Sequence, residues 1–313
     1  MRLKLLKHWD MKIQLMGSML TVMLMCSGCS GDADGQHDVD MKEGFCTVVA
    51  DVGGISWDMT EPGVDASGES VTRGLEANGE TLKELWVFDC YEDSCALVAK
   101  QTDADDSFGV VPMRLGYGKH RLAFVASRGE GSSLDLKNGR IEWAKVKDSF
   151  WCCEDVDVQR GGDVDMAVTL KRIVGRLRVM MYDVVPSGMK KMRITAEGWY
   201  RGVDVRTGEA VGTLEADEGI TEVSFVDIPA AYVGTSKRLA VSMWCVGRTE
   251  QWTQTVGIAA LDGDGGVIGE TSCDGVPMER NRVTQLGGYF LSGGKSGNVS
   301  VDDSWGGVLE YEF

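Results

Sequence analysis

The sequence predicts an all-β protein, and three observations carry that expectation. From Cys46 onward, apolar residues recur with a period of two rather than 3.6. Glycine- and aspartate-rich clusters punctuate these runs, as at Gly129–Ser133, Gly161–Asp163, Asp262–Gly266 and Gly293–Gly297. No amphipathic helix longer than two turns stands out, Gly139–Lys147 being the best short candidate. The chain has 313 residues, of which 43% are apolar and 26% charged, so it can bury a sizeable core in two domains or one large one.

Taken in order, the runs read as strands. Glu84–Asp89 crowds β-branched and aromatic residues as a buried strand does. Leu122, Phe124 and Ala126 alternate with Ala123 and Val125, and Met166, Val168 and Leu170 with Ala167 and Thr169. Leu177, Val179 and Met181 alternate with Arg176, Arg178 and Met180. Val223/Phe225, Leu239/Val241/Met243/Cys245 and Leu309/Tyr311/Phe313 repeat the pattern. Such strands separated by turns suggest β-sandwich architecture. The Pro186-Ser-Gly turn after Tyr182-Asp183 marks the expected boundary, giving domains at 45–183 and 184–313.

The N-terminus sets an address. Arg2, Lys4, Lys7 and Lys12 precede a largely apolar run from Ile13 to Met25, too short for a bilayer span of about 20 residues. It has the length of a signal-peptide core, with translation starting at Met1 or Met11. Ser27-Gly28-Cys29 resembles the lipobox of bacterial lipoproteins, which makes residues 1–28 a signal peptide and Cys29 the lipid-attachment site. Cys26 stands where an aliphatic residue is usual. Several acyl chains at roughly 0.8 kcal/mol per buried CH2 would hold the chain on a membrane permanently. Residues 29–44, polar and Gly/Asp-rich, read as a flexible tether.

Charge and composition exclude several functions. The net charge is −16, and −19 once residues 1–28 are removed, which argues against a nucleic-acid partner. Of three histidines only His120 lies in the expected folded body, so any Ser-His-Asp arrangement would have to use it. No GxSxG nucleophile motif is present, and the expectation is a non-enzyme without metal or cofactor. Asp262-Gly-Asp-Gly-Gly lacks a third ligand and a twelfth-position Glu, and reads as a turn rather than a calcium loop. Asp103, Asp105 and Asp106 read as a solvated loop. Cys46, Cys90, Cys95, Cys152, Cys153, Cys245 and Cys273 show no zinc spacing. Cys90 and Cys95 bracket an expected hairpin turn, but the disulfide pairing stays open, and an odd count leaves at least one thiol free. The tryptophans are expected mostly in the core; a sugar-stacking platform would need two coplanar exposed indoles on one face.

The order of these runs resembles the fimbrillin family, the subunits of type V pili of Gram-negative bacteria. Cys46–Val52 is similar to that family's first strand, and Thr72-Arg73-Gly74 stands where its processing loop does. Leu82–Asp89 and Gly118–Ser127 are similar to the strands that follow. Leu170–Val179 with Asp183-Val-Val-Pro186 resembles the interdomain strand and its turn, and Asn281–Leu286 with Val299–Trp305 the closing stretch. The resemblance implies two tandem transthyretin-like β-sandwich domains in a lipid-modified fimbrial subunit at the outer membrane and cell surface. It implies proteolysis after Arg73, loss of the first strand, and its replacement by a strand of another pilus subunit. Shaft, tip and membrane-anchor roles remain open, since anchor members keep that strand. A glycan-binding surface lipoprotein, recognising host or bacterial surface ligands, is the alternative from a different class.

Overall fold

The computed structural model describes residues 44–56, 76–77, 80–91, 94–291, 297–302 and 309–312. The first half contributes β1 (Phe45–Ser56), β2 (Glu76–Ala77), β3 (Glu80–Thr81), β4 (Glu84–Cys90), β5 (Cys95–Thr102), β6 (Val110–Gly116) and β7 (Gly118–Ser127). It continues through β8 (Ser132–Asp135), β9 (Arg140–Trp143), β10 (Ser149–Val158) and β11 (Val164–Arg172). The second half contributes β12 (Val174–Met181), β13 (Lys191–Trp199), β14 (Gly202–Asp204), β15 (Ala210–Val211), β16 (Ile220–Asp227) and β17 (Leu239–Val246). Last come β18 (Trp252–Leu261), β19 (Val267–Met278), β20 (Val283–Gly288), β21 (Gly297–Asp302) and β22 (Leu309–Glu312). Among the described residues the one helical turn is a 3-10 turn at Ala230–Tyr232.

Seven strands of the first half form one sheet in the order β5-β4-β7-β10-β11-β1-β6. β10 and β11 meet only at Phe150↔Arg172 and Trp151↔Lys171, so the sheet folds over at this corner. The two leaves then face each other across one core. Leu85, Val87, Leu122, Phe124 and Phe150 come from one leaf, and Val48, Ala50, Met113, Leu115, Val168 and Leu170 from the other. The result is a sandwich built by the alternation the sequence displays.

The second half repeats this plan. β16-β13-β18-β19 has the order of β5-β4-β7-β10, and β17-β12-β20 that of β6-β1-β11. In both halves the first strand pairs antiparallel on one side and parallel on the other. Leu177, Val179, Val241, Met243 and Leu286 pack against Met192, Ile194, Val256, Ile258 and Met278. β21 and β22 extend this second sheet beyond β20.

The chain changes sheets at Ile173, not after Asp183 as the turn residues suggest. Ile173 N donates to Ser149 O in the first half (3.0 Å), and its carbonyl accepts from Gly247 N in the second (2.6 Å). Val174–Met181 pairs along its length with β17 and β20, so it belongs with the second sandwich. Turn signals mark where a chain bends; strand partners distant in sequence decide which sheet it joins.

A four-stranded sheet, β15-β14-β9-β8, stitches the halves together through Gly202↔Glu142, Val203↔Ile141 and Asp204↔Arg140. Its β9 lies within Gly139–Lys147, the segment expected as a short helix. There Ile141 and Trp143 are buried while Arg140 and Glu142 are half-buried, which is the period of a strand. Under this sheet a third core joins Trp86, Phe88, Ala123 and Val125 to Trp143, Val203, Val205 and Val246. Both faces of β4 are therefore covered, and all seven of its residues are buried. Arg201 Nη2 pairs with Glu142 (2.9 Å), and Trp151 Nε1 donates to Val205 O (2.8 Å), across the same junction. The described residues form one compact unit.

Candidate functional site

The first strand is the element on which the expected assembly chemistry turns. β1 pairs antiparallel with β6 from Phe45↔Gly116 to Asp51↔Val110. On its other edge it pairs parallel with β11, from Val48↔Val164 to Ser56↔Lys171, with a register shift between Asp51 and Gly54. Cys46, Val48, Ala50 and Val52 point into the core, and Val48 and Ala50 are 0% exposed. Thr47, Val49 and Asp51 take the outer face. Beyond the ladder, Val52 N donates to Gly109 O (2.8 Å) and the Cys46 thiol to Gln159 O (3.2 Å). β1 thus fills a seam one strand wide rather than lying at an exposed edge. Without it, β6 and β11 would each present a row of unpaired backbone groups above an open apolar trough.

The repeated topology supplies an internal comparison. β12 occupies the equivalent slot in the second half, but only Ile173 separates it from β11. β12 is held at both ends by the chain, whereas β1 is followed by residues 57–75 before β2 begins. Arg73 falls in that stretch and lies outside the described residues, as do Cys29, the signal-peptide segment and residues 29–43 of the tether.

A cavity of about 900 Å³ opens at one end of β7, β10 and the β4–β5 hairpin. Cys90, Tyr91, Lys119, His120, Arg121, Asp155 and Arg206 line it. His120 Nδ1 meets Asp89 Oδ2 at 2.7 Å, and Nε2 lies 3.0 Å from Gly116 O. The Tyr91 hydroxyl donates to the same Asp89 oxygen (3.0 Å). Partial burial, with Asp89 alongside, raises the Tyr91 phenol above its ordinary value. Both ring nitrogens of His120 are thereby committed to Asp89 and to the backbone, and the ring is held as a strut between β4 and β7. Arg206 pairs with Asp204 (2.7 Å), and Arg121 Nε donates to Cys153 Sγ (3.2 Å).

The remaining sequence candidates resolve individually. Asp262 Oδ1 accepts from Asp264 N (2.9 Å) and Gly266 N (2.7 Å), closing a turn around Gly265 at φ 85°. Asp105 caps Thr102, and Asp103 pairs with Lys83, both at the surface. Among the described residues no group of three His, Cys, Asp or Glu side chains could hold a metal ion. Trp86, Trp143, Trp199 and Trp252 are buried, and Trp151 and Trp244 half-buried. The described residues therefore carry no exposed indole pair, and the sugar platform is not found there; Trp57 and Trp305 lie outside them. Trp86 and Trp143 are buried in the core under the small sheet, and Trp199 and Trp252 in the core of the second half.

Sequence reasoning missed one buried ionic group at the corner between the halves. Arg172 donates through Nε and Nη2 to the two oxygens of Asp148 (2.7 and 3.0 Å) and through Nη1 to Asn281 Oδ1 (2.9 Å). Arg128 Nη1 approaches Asp148 Oδ2 at 3.4 Å. Burial pulls the Arg172 guanidinium below its ordinary value, while Asp148 pushes it back. Arg172 ends a run of alternating apolar residues, and such a charge at a core-facing register position was the available signal.

Strands gathered into several sheets, with no α-helix among the described residues, define the class of this protein as all-β. More specifically, the chain belongs to the family of unknown function DUF6562, whose model matches residues 138–310. No curated protein matches it. Among solved structures the chain is similar to the fimbrial anchor protein Mfa2 from Porphyromonas gingivalis, with 9% identity and a TM-score of 0.46, covering 85% of this chain and 99% of that one. It is also similar to a fimbrial assembly protein from Parabacteroides distasonis, with 8% identity and a TM-score of 0.38, covering 86% and 99%. A third is a candidate polysaccharide-binding protein (DUF1812) from Bacteroides thetaiotaomicron, with 9% identity and a TM-score of 0.47, covering 85% and 98%.

Proposed function

We propose that this chain is a structural subunit of a surface fimbria that assembles by strand exchange and supports cell adhesion. The observation that carries the reading is the β1 slot. Its strand is paired on both edges, seated by four inward residues, and joined to the rest of the fold through the stretch containing Arg73. Cleavage after Arg73 would leave β1 attached by non-covalent contacts alone. A strand from a neighbouring subunit could then replace it, with ladder hydrogen bonds for affinity and alternate side chains for register. Acylation of Cys29 places the uncut chain on the outer membrane in this reading; cleavage separates the lipid, with residues 29–73, from the subunit.

The depth of the seat favours a second reading for the same fold, the membrane anchor of the fimbria. A chain that is never cut keeps β1 and the lipid together and roots its neighbours. Arg73→Ala, expressed in the native cell, separates the two. A subunit of the shaft or tip yields a shorter mature form from the unaltered chain and none from the variant. Equal masses from both chains would remove the strand-exchange role and leave the anchor. Cys29→Ala is expected to abolish acyl labelling and membrane fractionation; persistence of both would overturn the lipid assignment.

A further inference from the structure

We infer that Cys90 and Cys95 form a disulfide that closes the β4–β5 hairpin at the rim of the cavity. The two residues are register partners at the last rung of the hairpin, and their sulfurs lie 2.8 Å apart with no room for an atom between them. Tyr91 N donates to Ser94 O (2.8 Å), which makes Tyr91/Ser94 a hydrogen-bonded rung. Rungs alternate, so Cys90/Cys95 is a non-hydrogen-bonded pair, where the Cα atoms approach to about 4.5 Å. That separation lies inside the roughly 4.4–6.8 Å range of disulfides. Both side chains project to one side of the hairpin, into the core shared by the two halves.

The third sulfur nearby does not compete. Cys153 pairs with Ala123 on β7, and Ala123 pairs with Phe88 on β4, so a whole strand separates Cys153 from β4. Two strand spacings amount to roughly 9.5 Å, beyond the Cα limit of about 7 Å for a bridge. Cys153 instead receives the Arg121 Nε–H and stays a thiol. Cys152, one residue earlier, faces the opposite core.

Oxidation proceeds by exchange with a small-molecule disulfide such as oxidised glutathione, or with the disulfide of a dithiol oxidase. Cys90 lines the cavity, through which such a molecule reaches it. The Cys90 thiolate attacks one sulfur of the incoming disulfide and displaces a thiolate. The Cys95 thiolate then attacks the Cys90 sulfur of the mixed disulfide and displaces the second. Two protein thiols are oxidised, one disulfide is reduced to two thiols, and the two protein protons end on the departing thiolates. Burial raises both protein thiols; Arg206 acts on Cys95 in the opposite direction and remains beside it once Cys90 is in the mixed disulfide. The bond needs only an oxidising surrounding, whatever the chain assembles with.

The test treats the purified full chain with oxidised glutathione, then alkylates it with N-ethylmaleimide in denaturant without reductant, and maps tryptic peptides. Glu84–Lys100, which holds both residues, is expected unlabelled and two hydrogens lighter than its reduced form, while the Cys153 peptide carries the label. A doubly labelled Glu84–Lys100, a stable glutathione adduct on Cys90, or a Cys90–Cys153 link would each overturn the assignment. Reductant is expected to lower the thermal midpoint of the oxidised chain and to leave that of a Cys90→Ala/Cys95→Ala variant unchanged. Equal shifts in both would likewise overturn it.

Discussion

Asp148→Ala is expected to cost about 3–5 kcal/mol of folding stability, because it removes the buried carboxylate that accepts two hydrogen bonds from the Arg172 guanidinium. The Arg172 side chain is 1% exposed and that of Asp148 3%, and the carboxylate receives both arms of the fork. Arg172 and Arg128 also flank the Phe150 ring, with guanidinium carbons 5.4 and 5.9 Å from its centroid. The corner where the first sandwich folds over is Phe150↔Arg172, so the loss falls on the joint that sets its two leaves face to face. Asn281 extends the effect to the second half, since it accepts from Arg172 and donates its own N–H to Val174 O (2.8 Å). Asp148→Asn keeps an acceptor and should fall well short of the alanine loss. Urea unfolding of the two variants, with Arg172→Met and the double variant to complete a cycle, checks this. Additive losses in the double variant would show that the pair is not coupled.

The second large effect concerns β1. Val48→Asp places a carboxylate at a fully buried position opposite Met113 and beside Val164. The expected loss is several kcal/mol, the cost of an unpaired charge in an apolar seat, against a total stability of about 5–15 kcal/mol for a typical domain. Val49→Asp, one residue on, lies half-buried on the outer face opposite Asp165 and should cost far less, about 1 kcal/mol. Thermal denaturation and resistance to proteolysis report both. The contrast between neighbours reads the period of the seated strand. Equal effects at 48 and 49 would mean that β1 is not held in this register, and the strand-exchange proposal would lose its physical basis.

Much of the fold was legible because burial writes itself into alternation. The inward rows Leu177/Val179/Met181 and Leu239/Val241/Met243/Cys245 could be read directly, since each strand there has one core-facing side. Glu84–Asp89 was legible for a different reason: a strand covered on both faces loses alternation and becomes a continuous apolar run. Val223 and Phe225 show the limit. They alternate as core residues do, yet in β16 they face solvent at 44% and 59% exposure. Their period announced a strand, but its inner face belongs to Ile220, Glu222, Ser224 and Val226. Gly139–Lys147 misled because a four-residue strand is too short to separate a period of two from one of 3.6.

The candidate site divides along the same line. The β1 segment was visible as an apolar strand, while the Asp148–Arg172 pair, the His120–Asp89 strut and the cavity were not. Each of these joins residues too far apart in the chain for local spacing to announce, 24 residues for Asp148–Arg172 and 31 for Asp89–His120.

The amino-acid order by itself determined that the chain would be pleated, where most strands and turns would fall, and, in strands with one covered side such as β12 and β17, which side chains would face inward. Those are local matters, settled by a residue's spacing from its near neighbours. Tertiary structure alone decided that the sheets change at Ile173 and that both halves follow one strand order. It also decided that β1 lies between two partners, β6 and β11. Register and strand partnership depend on surfaces brought together from distant parts of the chain, and no local pattern encodes which two will meet.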